Sequence, residues 1–147
     1  MKISIASDHG GVELRREITN QLLELGYEVT DYGCPDTQSV DYPVYGQFVC
    51  DDVINKKSDY GVLICKTGIG MSIYANKCPG IRAGLVCTLE TAASARAHND
   101  CNVICLAANT VNLLDALLYI KTFVNTNFDG GRHKRRIDMI IEREKKL

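Results

Sequence analysis

The sequence predicts a three-layer α/β/α sandwich, a single domain over residues 1–147 with a five-stranded parallel Rossmann-like sheet and a C-terminal helical arm. Two observations carry that expectation. Five short apolar runs alternate with stretches of helical character, the pattern of βαβ units. The first and third runs also stop at Gly-rich turns that lead straight into helices. Right-handed crossovers then put helices on both faces of the sheet. The expected strand order is 2-1-3-4-5.

In chain order, Lys2–Ser7 is a buried strand running into the turn Asp8-His9-Gly10-Gly11. Over residues 12–25 the apolar positions Val12, Leu14, Ile18, Leu22, Leu23 and Leu25 predict a helix, and Gly26 stops it. Residues 28–32 fit a second strand, 33–43 a loop and 44–57 a helix. Tyr60–Cys65 is a third, fully buried strand leading into Thr67-Gly68-Ile69-Gly70 and a helix over 71–77. A fourth strand at 81–87 precedes the helix Leu89–Ala97, and a fifth at Val103–Ala107 precedes a helix over 111–125. Asp129-Gly130-Gly131 breaks the chain, and 132–147 is a largely solvated helical arm.

Composition narrows the function classes. Apolar residues make up 46%, charged residues 24%, and the net charge is −1. That hydrophobicity argues against disorder, and the charge balance against a nucleic-acid binder. No apolar run approaches a membrane span, and no secretory core opens the chain. The expected location is cytoplasmic. The seven cysteines, Cys34, Cys50, Cys65, Cys78, Cys87, Cys101 and Cys105, form no Cys-x-x-Cys pair. They read mainly as small buried hydrophobes in a reducing compartment. The three histidines lack metal-ligand spacing, so no metal site is expected.

In open α/β sheets ligands bind beyond the carboxyl ends of the strands, where the order reverses. With strands one and three adjacent, Asp8, His9 and Cys65 face one crevice, with Lys66 and Thr67 beside them. Asp8 alone can serve as a helix cap, and Cys65 alone as a core residue. Thr67-Gly68-Ile69-Gly70 fits neither a Walker loop nor a dinucleotide fingerprint. Its small residues still expose backbone N–H groups suited to a phosphate or an oxyanion. At a helix entrance and next to Lys66, Cys65 is placed to favour the thiolate. Met71, six residues on, excludes a Cys-x5-Arg phosphatase loop. Arg132 and Arg136 are four apart, share a helical face and can clamp a phosphate.

Several segments taken together resemble one family. They are Ser7-Asp8-His9-Gly10-Gly11, Asp41-Tyr42-Pro43, Cys65-x-Thr67-Gly68-Ile69-Gly70-x-Ser72, Ala75-Asn76-Lys77-x-Pro79-Gly80-Ile81-Arg82-Ala83, His98-Asn99-Asp100-x-Asn102-Val103 and Gly130-Gly131-Arg132-His133. In this order they resemble the type B ribose-5-phosphate isomerases, within the sugar-phosphate isomerases that include galactose-6-phosphate isomerase subunits. The resemblance implies aldose–ketose isomerisation of a small sugar phosphate through an enediolate, with no metal and no cofactor. It implies Cys65 as the base, His98 as the ring-opening acid, and Asp8 as a holder of sugar hydroxyls. Thr67 and the amides of Lys66, Gly68, Ile69 and Gly70 would stabilise the enediolate. His9, Arg132 and Arg136 would bind phosphate, Asn99 the sugar, and Tyr42 would line the pocket. It also implies a homodimer or homotetramer with sites at the subunit interface, and neither nucleic acid nor membrane as partner.

Two positions depart from the family. Lys66 stands where a glycine is usual, and is strained there if the backbone takes a positive φ. Asn109 stands where an arginine is common. A six-carbon sugar phosphate, such as allose or galactose 6-phosphate, is an alternative substrate. A non-catalytic sugar-phosphate-binding module is an alternative from another class. A receiver-like signalling domain would need an acidic cluster at the strand ends, and only Asp8 is found there.

Overall fold

The computed structural model describes residues 1–146. Its strands are β1 (Lys2–Ser7), β2 (Glu28–Asp31), β3 (Tyr60–Cys65), β4 (Ala83–Leu85) and β5 (Val103–Ala107). Its helices are α1 (Val12–Glu24), α2 (Tyr42–Ile54), α3 (Ile69–Ala75), α4 (Leu89–Ala97), α5 (Leu113–Asn125) and α6 (Gly131–Glu144). A short 3-10 turn, His9–Gly11, joins β1 to α1.

Helix boundaries differ from expectation by a few residues, for local reasons. Helix α2 begins at Tyr42, before the expected 44, because Pro43 sits in the first turn, where a missing N–H breaks no bond. Helix α3 begins at Ile69 because Gly68, at φ +71°, turns the chain immediately before it. The arm is helix α6, with Ile137 its one buried residue; Leu147, the last residue of the expected arm, lies outside the described residues.

All strand pairs are parallel, and the order is β2-β1-β3-β5-β4. The expected order 2-1-3-4-5 is therefore corrected: β5, not β4, lies beside β3. Burial explains the exchange. Every residue of β5 (VICLA) is buried, as a strand covered on both faces requires. Strand β4 (AGL) is three residues long and partly exposed, which suits an edge. The adjacency of β1 and β3, which defines the crevice, is as expected.

Side chains alternate across the sheet. Val62, Ile64, Ile104 and Leu106 pack with Ile18 and Leu22 of α1, Ala92 of α4 and Ile120 and Phe123 of α5. Leu63, Cys65, Val103 and Cys105 pack on the other face, with Val49 and Cys50 of α2 and Met71 and Ala75 of α3. No helix among the described residues is long and apolar enough to cross a membrane.

Buried Arg15 fastens the crevice to this frame. Its guanidinium lies 2.9 Å from Asp31 and donates at 3.0 Å to both Ser7 Oγ and the Cys34 carbonyl. It thereby joins the end of β1 to the loop that carries Asp41-Tyr42-Pro43. Arg15→Leu leaves Ser7 and the Cys34 carbonyl buried without their donor. The expected loss of stability is about 2–3 kcal/mol, read from the shift of the urea midpoint.

Candidate active site

The structure gathers the predicted residues into two clusters. The first lies at the carboxyl ends of β1 and β3. Asp8 is buried, and its Oδ1 accepts from the Gly10 N–H at 2.9 Å. Its carboxylate thus caps the turn that follows β1. His9 is half-buried, and its Nδ1 accepts from the Val40 N–H at 3.3 Å. In the neutral ring this leaves the proton on Nε2, free to donate to a ligand. A cleft of about 300 Å³ beside His9 is also lined by Gly10, Glu13, Thr37 and Ala108.

Cys65 ends β3, buried, with Ala107 of β5 as its ladder partner. The Gly68 N–H donates to its Sγ at 3.1 Å, a bond that strengthens when the sulfur is charged. Thr67 Oγ1 accepts from the Ile69 N–H at 3.3 Å, and the residue is exposed. The Tyr42 ring packs on Gly70, where a Cβ would lie 2.8 Å from the ring Cζ.

Gly68 is fixed by both conformation and space. Its φ is +71°, and a Cβ there would lie 2.5 Å from Leu85 Cδ1 and 3.1 Å from the Leu106 backbone. Gly68→Ala is expected to lose about 1–2 kcal/mol from the backbone alone, and to move the N–H off Sγ. Thermal unfolding and turnover, measured together, check both effects.

Lys66 is not at a positive φ; among non-glycine residues that applies to Lys56 and Asp100. Lysine therefore stands at this position without backbone strain. The lysine stem crosses Gly10, where a Cβ would meet Lys66 Cγ at 2.4 Å. Asn109 lies alongside, its N–H donating to the Lys66 carbonyl at 3.0 Å.

The second cluster holds His98, Asn99, Arg132 and Arg136. His98 caps the carboxyl end of α4, just before β5 begins. It therefore lies level with the amino end of the sheet, roughly 13 Å along β5 from the level of Cys65. Within one chain the structure does not bring His98, Asn99, Arg132 or Arg136 to Cys65. Arg96 and Arg82 hold the turn by gripping Asp100 at 2.6 and 2.9 Å, and Asp100 takes φ +45° to meet them. The Asp129 N–H donates to the Ala97 carbonyl at 2.9 Å, which brings the start of α6 against His98. The His98 and His133 rings then stack at 4.4 Å and 8°. Partial desolvation, followed by the positive charges of His98, Arg132 and Arg136, holds His133 below the ordinary histidine value. Arg132 and Arg136 are exposed and have no carboxylate partner among the described residues.

The stacking of His133 on His98 was not legible in the sequence, which sets the two residues 35 positions apart. The signal was the Gly130-Gly131 break, which starts α6 next to the residue that caps α4. All seven cysteines are free. Burial pushes Cys101 up to about 11, and also raises Cys34, Cys50 and Cys105. These four are poor nucleophiles.

Comparison with known proteins identifies the family and the fold. The profile of the Ribose/Galactose Isomerase family matches residues 3–140. Ribose-5-phosphate isomerase B of Clostridium thermocellum superposes with a TM-score of 0.97 at 46% identity, over 99% of each chain. The Mycoplasma genitalium ribose-5-phosphate isomerase B, solved with ribulose 5-phosphate bound, gives a TM-score of 0.94 at 41% identity, over 99% of this chain and 97% of that one. A Bacillus subtilis relative, 44% identical over 99% of each chain, is named only as a sugar phosphate isomerase, with no sugar specified. With the match spanning nearly the whole chain, this protein belongs to the ribose/galactose isomerase family of sugar phosphate isomerases.

Proposed function

We propose that the chain interconverts D-ribose 5-phosphate and D-ribulose 5-phosphate through an enediolate, at a site completed by a second copy of itself. The observation that carries this reading is the turn after β3, where the Gly68 N–H holds the Cys65 sulfur and Thr67 stands beside it. A C–H proton next to a carbonyl is only weakly acidic. Its removal needs a placed base and an anion-stabilising turn together.

In this reading Cys65 takes the proton from C2 of the open-chain aldose and returns it to C1. Thr67 and the amides of Lys66, Gly68, Ile69 and Gly70 receive the enediolate oxygen. Asp8 holds sugar hydroxyls, and Tyr42 walls the pocket. His98 donates the proton that opens the furanose ring, and Asn99 binds the sugar. His9, through Nε2, joins Arg132 and Arg136 on the phosphate. Because His98 and the arginines lie a strand length from Cys65 in the same chain, the partner copy supplies them. A homodimer is the smallest assembly that does so, and a homotetramer also satisfies it.

The test is kcat/KM on ribose 5-phosphate beside allose and galactose 6-phosphates, with deuterium uptake at C1 and C2 followed in heavy water. Preference for the pentose, with uptake, supports the reading. Preference for a hexose phosphate replaces the substrate, and tight binding without uptake replaces the activity by simple binding.

Lys66 adds a cation at the crevice mouth, with no carboxylate within 4.0 Å among the described residues. Lys66→Gly is expected to raise KM for the sugar phosphate about 2- to 5-fold, the scale of an exposed charge contact. The pH dependence of kcat is expected to stay in place. A shift in that profile would instead assign Lys66 to the state of Cys65.

A further inference from the structure

His98, Asp129 and His133 come from three different segments: the end of α4, the loop after α5 and the first turn of α6. One donor atom from each lies within 4.8 Å of the other two. His98 Nε2 stands 3.9 Å from Asp129 Oδ2, too far for a hydrogen bond. None of the three side chains makes a hydrogen bond to another group among the described residues. Their backbones, by contrast, are fastened. The Asp129 N–H is held by the Ala97 carbonyl at 2.9 Å, and the His133 N–H by the Gly130 carbonyl at 3.0 Å. Two imidazoles and a carboxylate thus converge from fixed anchors with their donor atoms uncommitted.

We propose that His98, Asp129 and His133 form a binding site for a divalent transition metal ion of the zinc, cobalt and nickel class. Two nitrogens and one oxygen suit these ions, whereas magnesium and calcium prefer oxygen sets. At bond lengths of about 2.0–2.1 Å, tetrahedral ligand atoms lie roughly 3.4 Å apart. The present spacing closes to that value if the two rings pivot out of parallel by little more than 1 Å. His98 and Asp129 have exposed side chains, and His133 is half-buried, so the movement displaces no core residue. Arg132 and Arg136 on the same helix oppose a dication, and Asp129 offsets part of their charge. Three protein ligands leave positions open for water or for an anion held by those arginines. The consequence for activity rests on the reading of His98 given above. A metal on its ring nitrogen removes that nitrogen from proton transfer, so the ion is a reversible inhibitor.

Cobalt(II) is the probe, because its spectrum separates sulfur from nitrogen and oxygen ligands in a chain with seven thiols. It is titrated into the reduced, chelator-stripped full-length protein. The expected result is one ion per chain, visible d–d bands, and no thiolate-to-cobalt charge-transfer band. His133→Ala and Asp129→Asn should each weaken binding roughly 10-fold or more, while Cys65→Ala binds as the parent does. A charge-transfer band, affinity unmoved in His133→Ala, or no saturable binding overturns the site. The spectra decide this whether or not the chain isomerises a sugar phosphate. In a second arm, cobalt is expected to slow turnover of ribose 5-phosphate, and chelation to restore it. Binding without that inhibition keeps the metal site and removes His98 from ring opening.

Discussion

Replacing Cys65 by alanine is expected to lower kcat for ribose 5-phosphate by about 10²–10⁴-fold, the usual contribution of a positioned base. KM should change little, because the proposed phosphate and hydroxyl contacts lie on other residues. The same variant should stop exchange of the C1 hydrons of ribulose 5-phosphate with solvent. That second measurement separates the base from the ring-opening acid. Ribulose 5-phosphate cannot close a furanose ring, since its 5-oxygen is esterified, so its exchange needs only the base and the enediolate turn. His98→Asn is therefore expected to slow turnover of ribose 5-phosphate while C1 exchange of ribulose 5-phosphate persists. Exchange at the parental rate in Cys65→Ala would remove Cys65 as the base. The exposed Cys87 complicates chemical modification as a substitute for this experiment, because a thiol reagent meets it before the buried Cys65.

Mixing two inactive proteins is expected to restore activity. The structure sets Cys65 and His98 at opposite ends of the sheet, so a site that needs both must draw them from two chains. In a hybrid of Cys65→Ala with His98→Asn, one shared site has both groups intact and the other lacks both. Random reassortment of dimers makes half of them hybrid, and half the sites in each hybrid are complete. The expected recovery is about one quarter of the parental specific activity, by the arithmetic of two-fold pairing. Differently tagged subunits, co-purified after mild unfolding and refolding, show that exchange has occurred. Hybrids that form and remain inactive would contradict a shared site.

Much of this architecture was legible in the residues. Strand β3 and helix α4 lie where apolar runs and flanking turns put them, and the crevice between β1 and β3 follows from their adjacency. The β4–β5 exchange was not legible, because both runs are apolar. What separates them is that VICLA is buried throughout, whereas AGL has the profile of an edge. The first cluster was legible because Asp8 directly follows β1 and Cys65 ends β3. Its finer geometry, such as the lysine stem lying over Gly10, depends on backbone angles that a residue pattern does not specify. The His98–His133 stack joins the residue that caps α4 to one in α6, positions that no local periodicity relates. Beside it, the Asp129 N–H ties the last loop to the end of α4.

The interior position of β5 also governs the order in which the sheet can be finished as the chain is made. Strand β4 pairs with β5 alone, and β5 leaves the ribosome after it. Until residues 103–107 have emerged, β4 has no neighbour, and β3 presents an open edge on its outer side. A nascent chain paused within α4 is therefore a three-stranded intermediate with an apolar edge, the kind of surface that recruits other strands. A fragment ending at Asn102 should aggregate. One extending through Ala107 closes the β3 edge and gives β4 its partner in a single step.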